Sequence, residues 1–252
     1  PDGTLTHLHS LPSVTDVVSA AEDDEGRIWL GLTRKGLYVF SPDLKLTANV
    51  NLPHAENITC IRQFDKSHML FSAYGTGLYT INTKTMTAEP FDREQTKDCI
   101  NAIDLLLADN GQLWIGTYGS GVFSYDLDKR TIRSHNGFIS NDIVALLEDS
   151  DHNIFMSSSY GLYRYDPQTE KLTTYLEPHG TLGNQYHEKS RHIDKYGNLY
   201  FGGNSGLQQV VPANMLKKTA DTPLYLTNVE LLTNKNSNPP NRYTPDYSTI
   251  NE

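Results

Sequence analysis

The densest run of side chains able to do chemistry is His187-Glu188-Lys189-Ser190-Arg191-His192. Imidazoles beside charged groups suit ligand binding or acid–base catalysis, provided the chain makes them converge. A second set is scattered: Arg34, Lys35, Tyr74, Tyr118, Tyr160 and Asn204 stand in short turns. His54, His135, Asn136, Tyr186 and His187 stand in longer connections. Aromatic rings flanked by amides and charges suit sugar recognition, because apolar ring faces stack while polar groups bind hydroxyls. Surface tyrosines are also ordinary, so plain surface remains the competing reading.

Other candidates fall away on their local context. Asp23, Asp24, Asp109, Asp149 and Asp194 each sit just before a tight turn, where carboxylates bind backbone N–H groups, and are read as structural. The glycine-rich Gly116-Thr117-Tyr118-Gly119-Ser120-Gly121 joins two strand signals and opens no helix, so it is not a phosphate cradle. The chain contains neither a Gly-x-Ser-x-Gly elbow nor His-Glu-x-x-His. Cys60 and Cys99 lack metal-ligand spacing and are read as buried thiols, with a disulfide or a reactive site as the alternative. No metal, cofactor or catalytic residue is expected.

Composition narrows the class. The 252 residues are 37% hydrophobic and 20% charged, as in soluble globular chains, and the formal net charge is −9. An acidic chain without a basic run is a poor partner for nucleic acid or an anionic membrane surface. No apolar stretch approaches the roughly 20 residues of a membrane helix. The chain does not begin with Met, and Pro1-Asp2-Gly3 reads as a turn, which suggests a piece of something longer.

The elements that must position these residues repeat. Gly26-Arg27-Ile28-Trp29-Leu30-Gly31 recurs as Ser67 to Ser72, Gly111 to Gly116, His152 to Ser157 and Gly197 to Gly202. The anchors Trp29, Leu70, Trp114, Phe155 and Tyr200 are spaced 41, 44, 41 and 45 apart. A second landmark, Gly36-Leu37-Tyr38 and its copies at Gly77, Gly121, Gly161 and Gly206, is spaced 41, 44, 40 and 45. Two landmarks sharing one period make chance a weak explanation.

Each unit holds four short strand signals; in the first they are Val17 to Glu22, Ile28 to Leu32, Leu37 to Phe40 and Leu46 to Val50. Turns this short force antiparallel neighbours, giving a four-stranded meander. In Gly36-Leu37-Tyr38-Val39-Phe40 both faces are apolar, so the sheet needs cover on both sides. Stacking such units around an axis supplies that cover. The expected fold class is therefore an all-β propeller of four-stranded antiparallel blades. Leu5 to His9 reads as the outer strand of a preceding blade, and the fifth blade as running from about Arg191 to Val211. Arg191 stands where the other units have Ala20, Ile61, Leu105 and Leu146. On an inner strand it needs water or a partner, so its cluster is either a solvated channel lining or a ligand site. We expect residues 1–218 to form the blades. Residues 219–252 would be a linker and the first strand, Leu224 to Leu231, of a following β unit.

Asp109-Asn110-Gly111-Gln112-Leu113-Trp114-Ile115-Gly116-Thr117, followed by Gly119 to Asp126, resembles the two-component regulator propeller repeat. Tyr196 to Leu207, then Pro212 and the stretch Pro223 to Asn234, is similar to the end of the second propeller and the start of the Tyr-rich β-sandwich in sensors of Bacteroides-type hybrid two-component systems. That resemblance implies that the five blades are part of a seven-bladed propeller. It also implies a periplasmic location, a sensing role often directed at glycan fragments, and an output kinase and membrane helix outside this chain. The expected partner is a small carbohydrate held by Arg34, Tyr74, Tyr118, Tyr160, His135, Tyr186, His187, Arg191 and Asn204. The alternatives are a lyase or hydrolase resembling streptogramin lyase, and a protein-interaction or homodimerising propeller.

Overall fold

The computed structural model describes residues 16–52, 55 and 57–215. The expected strands at Leu5 to His9 and Leu224 to Leu231, and His54, lie outside the described residues.

Five antiparallel sheets form a β-propeller, each built in chain order from its inner strand outwards. Blade 1 is β1 (Val17–Glu22), β2 (Ile28–Leu32), β3 (Gly36–Phe40) and β4 (Leu46–Val50). Blade 2 is β5 (Ile58–Asp65), β6 (His68–Ala73), β7 (Gly77–Asn82) and β8 (Ala88–Pro90). Blade 3 is β9 (Ala102–Leu107), β10 (Gln112–Thr117), β11 (Val122–Asp126) and β12 (Thr131–His135). Blade 4 is β13 (Ile143–Glu148), β14 (Ile154–Ser158), β15 (Leu162–Asp166) and β16 (Lys171–Tyr175). Blade 5 has three described strands, β17 (Tyr186–Ile193), β18 (Leu199–Gly203) and β19 (Gly206–Val210). Helix among the described residues is confined to a 3-10 turn at Glu177–His179 and to α1 (Pro212–Met215). The described blades all belong to one compact unit that ends at Pro212.

The blades cohere because each buries its greasy faces against its neighbour. Trp29 packs with Ile61, Met69 and Phe71 of blade 2, and Trp114 packs with Leu146, Ile154 and Met156 of blade 4. The two anchors thus occupy equivalent wedges. Between them, Leu70 and Leu78 of blade 2 meet Leu105, Leu113 and Ile115 of blade 3. All five residues of β3 are buried, as its two apolar faces require. The residue two after the anchor is small in every blade, and in blades 1 and 3 the next inner strand comes close to it. A Cβ added at Gly31 would meet Ile58 Cγ2 at 2.5 Å, and one at Gly116 would meet Ile143 Cγ2 at 3.1 Å.

The weak copies of the turn are resolved differently. Gly26, Gly111 and Gly197 adopt left-handed φ of 74°, 78° and 80° at the first hairpin. His152, in the glycine position of blade 4, takes the same conformation at φ 63°, and its Nδ1 lies 2.9 Å from Glu148 Oε1. Blade 2 shortens the hairpin instead, so that Asp65 pairs with His68 and Ser67 needs no positive φ.

Blade 5 begins earlier than its pattern suggests. Its inner strand starts at Tyr186, not Arg191, and the register shifts between those two residues, where Lys189 has φ 56°. That bulge breaks the period-two alternation a sequence reading depends on. Beyond it the register is regular: Arg191 pairs with Phe201 as Ala20, Ile61, Leu105 and Leu146 pair with Leu30, Phe71, Ile115 and Met156.

Candidate functional site

Polar side chains gather in two places: about the central axis, and on the face carrying the loops after each second strand.

At the axis Asp104 of β9 is fully buried and serves four blades. Arg191 of blade 5 donates to both its oxygens, Nε to Oδ2 at 2.6 Å and Nη2 to Oδ1 at 2.8 Å. Arg62 of blade 2 donates Nη2 to Oδ1 at 3.1 Å, and the Leu146 N–H of blade 4 donates to Oδ2 at 2.9 Å. Burial pushes the Asp104 carboxyl up to about 6 against the pull of Arg62, which leaves it ionised at neutral pH. Lys189 crosses the axis as well, donating to the carbonyls of Val18 at 3.3 Å and Thr59 at 2.9 Å. Arg191 and Lys189 are therefore internal tethers, while His187, Glu188 and His192 of the same run are exposed.

The loop face is built by main-chain bonds. The Tyr74 N–H donates to Asn57 O at 2.8 Å and the Gly75 N–H to Ile100 O at 2.7 Å. The same arrangement recurs with Tyr118 N to Asn101 O, Gly121 N to Asn141 O, Gly161 N to Asn184 O and Asn204 N to Gln185 O. Each short turn is thereby fixed to the connections between blades. The tyrosine rings remain in solvent: Tyr74 is 46% exposed, Tyr118 37% and Tyr160 47%. Partial burial raises the Tyr118 phenol, helped by the nearby carboxylates Glu188 and Asp142 and by Tyr74. Tyr74, Tyr118, Asp142 and Glu188 thus share one neighbourhood. Arg34, His187 and Asn204 are also exposed, with Asn204 bonded through its amide to Gln185.

Three expected site residues point inward instead. His135 is the last residue of β12, 8% exposed, with its ring 4.8 Å from Trp114 and 4.9 Å from Tyr165. Its Nε2 lies 2.8 Å from Ser124 Oγ, and burial, then Arg133, lowers its pKa to about 4. Tyr186 is 6% exposed against Phe201. Arg191 is tied to Asp104, as described. His135 and Tyr186 are thus buried, and Arg191 is engaged by Asp104, whereas the remaining described candidates face solvent.

One groove on the loop face was not foreseen. It has a volume of about 620 Å³ and lies between the Tyr74 turn and the connection from β8 to β9. Tyr74, Tyr79, Asn57 and Thr76 form one side, and Arg93, Thr96, Lys97 and Ile100 the other. The connection coils through Thr96 N to Asp92 O and Cys99 N to Thr96 O. Residues 93, 96, 97 and 100 consequently share a face. Helical spacing within a presumed loop was the available signal.

The pre-turn carboxylates behave as expected of turn residues. Asp23 Oδ1 accepts the N–H groups of Glu25 and Arg27, Asp149 Oδ1 those of Asp151 and Asn153, and Asp194 Oδ1 those of Tyr196 and Asn198. Asp109, Glu148 and His152 bring ligand-type atoms within 4.8 Å of one another. Glu148 in that trio already bonds the His152 ring and the Asp109 N–H, so the trio staples two turns. Cys60 and Cys99 are free and buried.

The fold and this face define a β-propeller with a rigid, aromatic-bearing loop surface. In structure it is similar to the extracellular domain of the proposed hybrid two-component system BT3049 of B. thetaiotaomicron, with TM-score 0.75 and 19% identity over 93% of this chain and 33% of that one. The extracellular domain of BT4673 from the same organism follows at TM-score 0.63 and 18% identity, covering 79% of this chain and 30% of that one. Virginiamycin B lyase of Staphylococcus aureus shares the fold at TM-score 0.58 and 14% identity, covering 78% of this chain and 70% of that one. In sequence, a curated relative is Histidine kinase P4 of Formosa agariphila, 27% identical over 117 residues, 46% of this chain and 8% of the relative. No family model matches. These likenesses show the propeller fold that the repeats imply, and the chain spans about a third of the BT3049 domain.

Proposed function

We propose that this chain is the periplasmic ligand-sensing part of a two-component signalling protein, binding a glycan-derived oligosaccharide on its loop face while the kinase lies elsewhere. Structural neighbours that are extracellular domains of two-component systems support the sensing role, and a histidine kinase among the relatives supports an output outside these blades. The observation that carries the ligand class is the exposure of Tyr74, Tyr118 and Tyr160 on turns fixed by main-chain bonds, with Tyr74 bordering a groove of about 620 Å³. That volume suits a small oligosaccharide. Exposed, preorganised rings lose little entropy when a sugar face stacks on them.

Calorimetry with a library of glycan fragments, followed by chromatography of the mixture, tests this reading. Heat of binding with every fragment recovered intact is the expected result. Cleaved product would favour the lyase alternative that the virginiamycin B lyase likeness keeps open. Tyr74→Ala and Tyr118→Ala should each weaken binding at least tenfold, and unchanged affinity in both would remove the site.

A further inference from the structure

We propose that the groove beside Tyr74 selects an acidic saccharide, a sugar bearing a carboxylate or sulfate, through Arg93 and Lys97. The inference rests on the oligosaccharide reading above and narrows its ligand class.

The connection that forms the groove's second wall carries both signs of charge: Asp92, Arg93, Glu94, Lys97 and Asp98. Its coil sorts them. Arg93 and Lys97 line the groove, four residues apart on one face with Thr96 and Ile100, while Glu94 and Asp98 do not line it. Asp92 is turned away, its Oδ2 accepting from the Tyr125 hydroxyl and from Arg130 Nη2 of blade 3. Among the described residues neither Arg93 nor Lys97 has an ion-pair partner, whereas Arg27, Arg62, Arg130, Arg133 and Arg191 all do.

The wall is anchored at both ends. Phe91 N–H donates to Leu78 O at 2.9 Å, Thr96 Oγ1 to Phe91 O at 2.9 Å, and Gly75 N–H to Ile100 O at 2.7 Å. The cations therefore project from a fixed backbone opposite the exposed ring of Tyr74. A guanidinium can bind a carboxylate or sulfate through two parallel N–H···O bonds, and an ammonium adds a point charge. The ring supplies the stacking surface for the pyranose. A net charge of −9 opposes an anion elsewhere on this molecule, so selectivity would depend on these two side chains.

The test titrates the full 252-residue chain with three probes: trigalacturonic acid, neocarrabiose 4-sulfate and neutral maltotriose. The expected result is that at least one acidic probe binds tenfold or more tightly than maltotriose. In the doubly substituted Arg93→Gln, Lys97→Gln protein that preference should vanish while the melting midpoint holds. Preference for the carboxylate or the sulfate probe would identify which anion the pair reads. Equal binding of neutral and acidic probes, or an acidic preference surviving the double substitution, would overturn the inference and leave the sensor reading intact. Silence towards all three probes would overturn both.

Discussion

Arg191 of blade 5 grips Asp104 of blade 3 across the axis, two charge-assisted hydrogen bonds of 2.6 and 2.8 Å joining blades that are not neighbours. Removing the carboxylate would leave two guanidiniums, those of Arg191 and Arg62, facing each other in a half-buried space. Asp104→Ala should therefore cost about 3 kcal/mol, the lower end of the range for breaking a buried pair from one side. Urea denaturation checks it. Arg191→Met, which leaves Arg62 on Asp104, should cost less.

Trp114 is 1% exposed in the wedge between blades 3 and 4. Truncating it to alanine opens a cavity that rigid flanking sheets cannot close. We expect a loss of about 3–5 kcal/mol in a chemical melt. An unchanged midpoint would contradict the packing assigned to the anchor.

His135 gives the fold an acid-side slope. Its folded pKa is lowered from 6.5 to about 4, so it is neutral in the wedge at pH 7. As pH falls below 6.5 the unfolded chain binds the proton first, and the folded state loses ground until about pH 4. Asp104, raised to about 6, works the other way between its two states, losing stability as pH rises towards 6. Comparing wild type with His135→Phe isolates the histidine. The wild type should lose stability relative to the variant by about 1 kcal/mol per pH unit across this window. Parallel curves would refute it.

Neither cysteine should act as a nucleophile. Burial, then Asp104, pushes the Cys60 thiol up to about 12, and burial, then Asp98, does the same to Cys99. Almost no thiolate exists at neutral pH. A thiol reagent should label neither residue in the native protein and both in denaturant. Native labelling at either position would show that its cover opens.

The blades were legible because their cause is periodic. Apolar alternation and turn residues return every 40 to 45 positions, and the strands of blade 1 fall where that spacing puts them. Pairing at the axis was not legible. Arg191 and Asp104 are 87 residues apart, and nothing local to either announces the other. In sequence His135 reads as a connection residue, yet it ends β12 opposite Val122, and from there its ring turns into the wedge beside Trp114. The groove was missed for a different reason. The stretch from Arg93 to Ile100 is too short to register as a helix, although its four lining residues keep helical spacing. The exposure of Tyr74, Tyr118 and Tyr160 is legible because aromatics on short turns stand out against a buried aromatic repeat.

The rim of the groove is secured by peptide N–H and carbonyl groups, which every amino acid except proline can provide in full. The Thr96 hydroxyl shares that duty, whereas Tyr74, Arg93 and Lys97 carry none of it through their side chains. A descendant of this chain could exchange Tyr74, Arg93 or Lys97 and acquire a new preference without melting any earlier, so that recognition and endurance are written in separate parts of the same molecule.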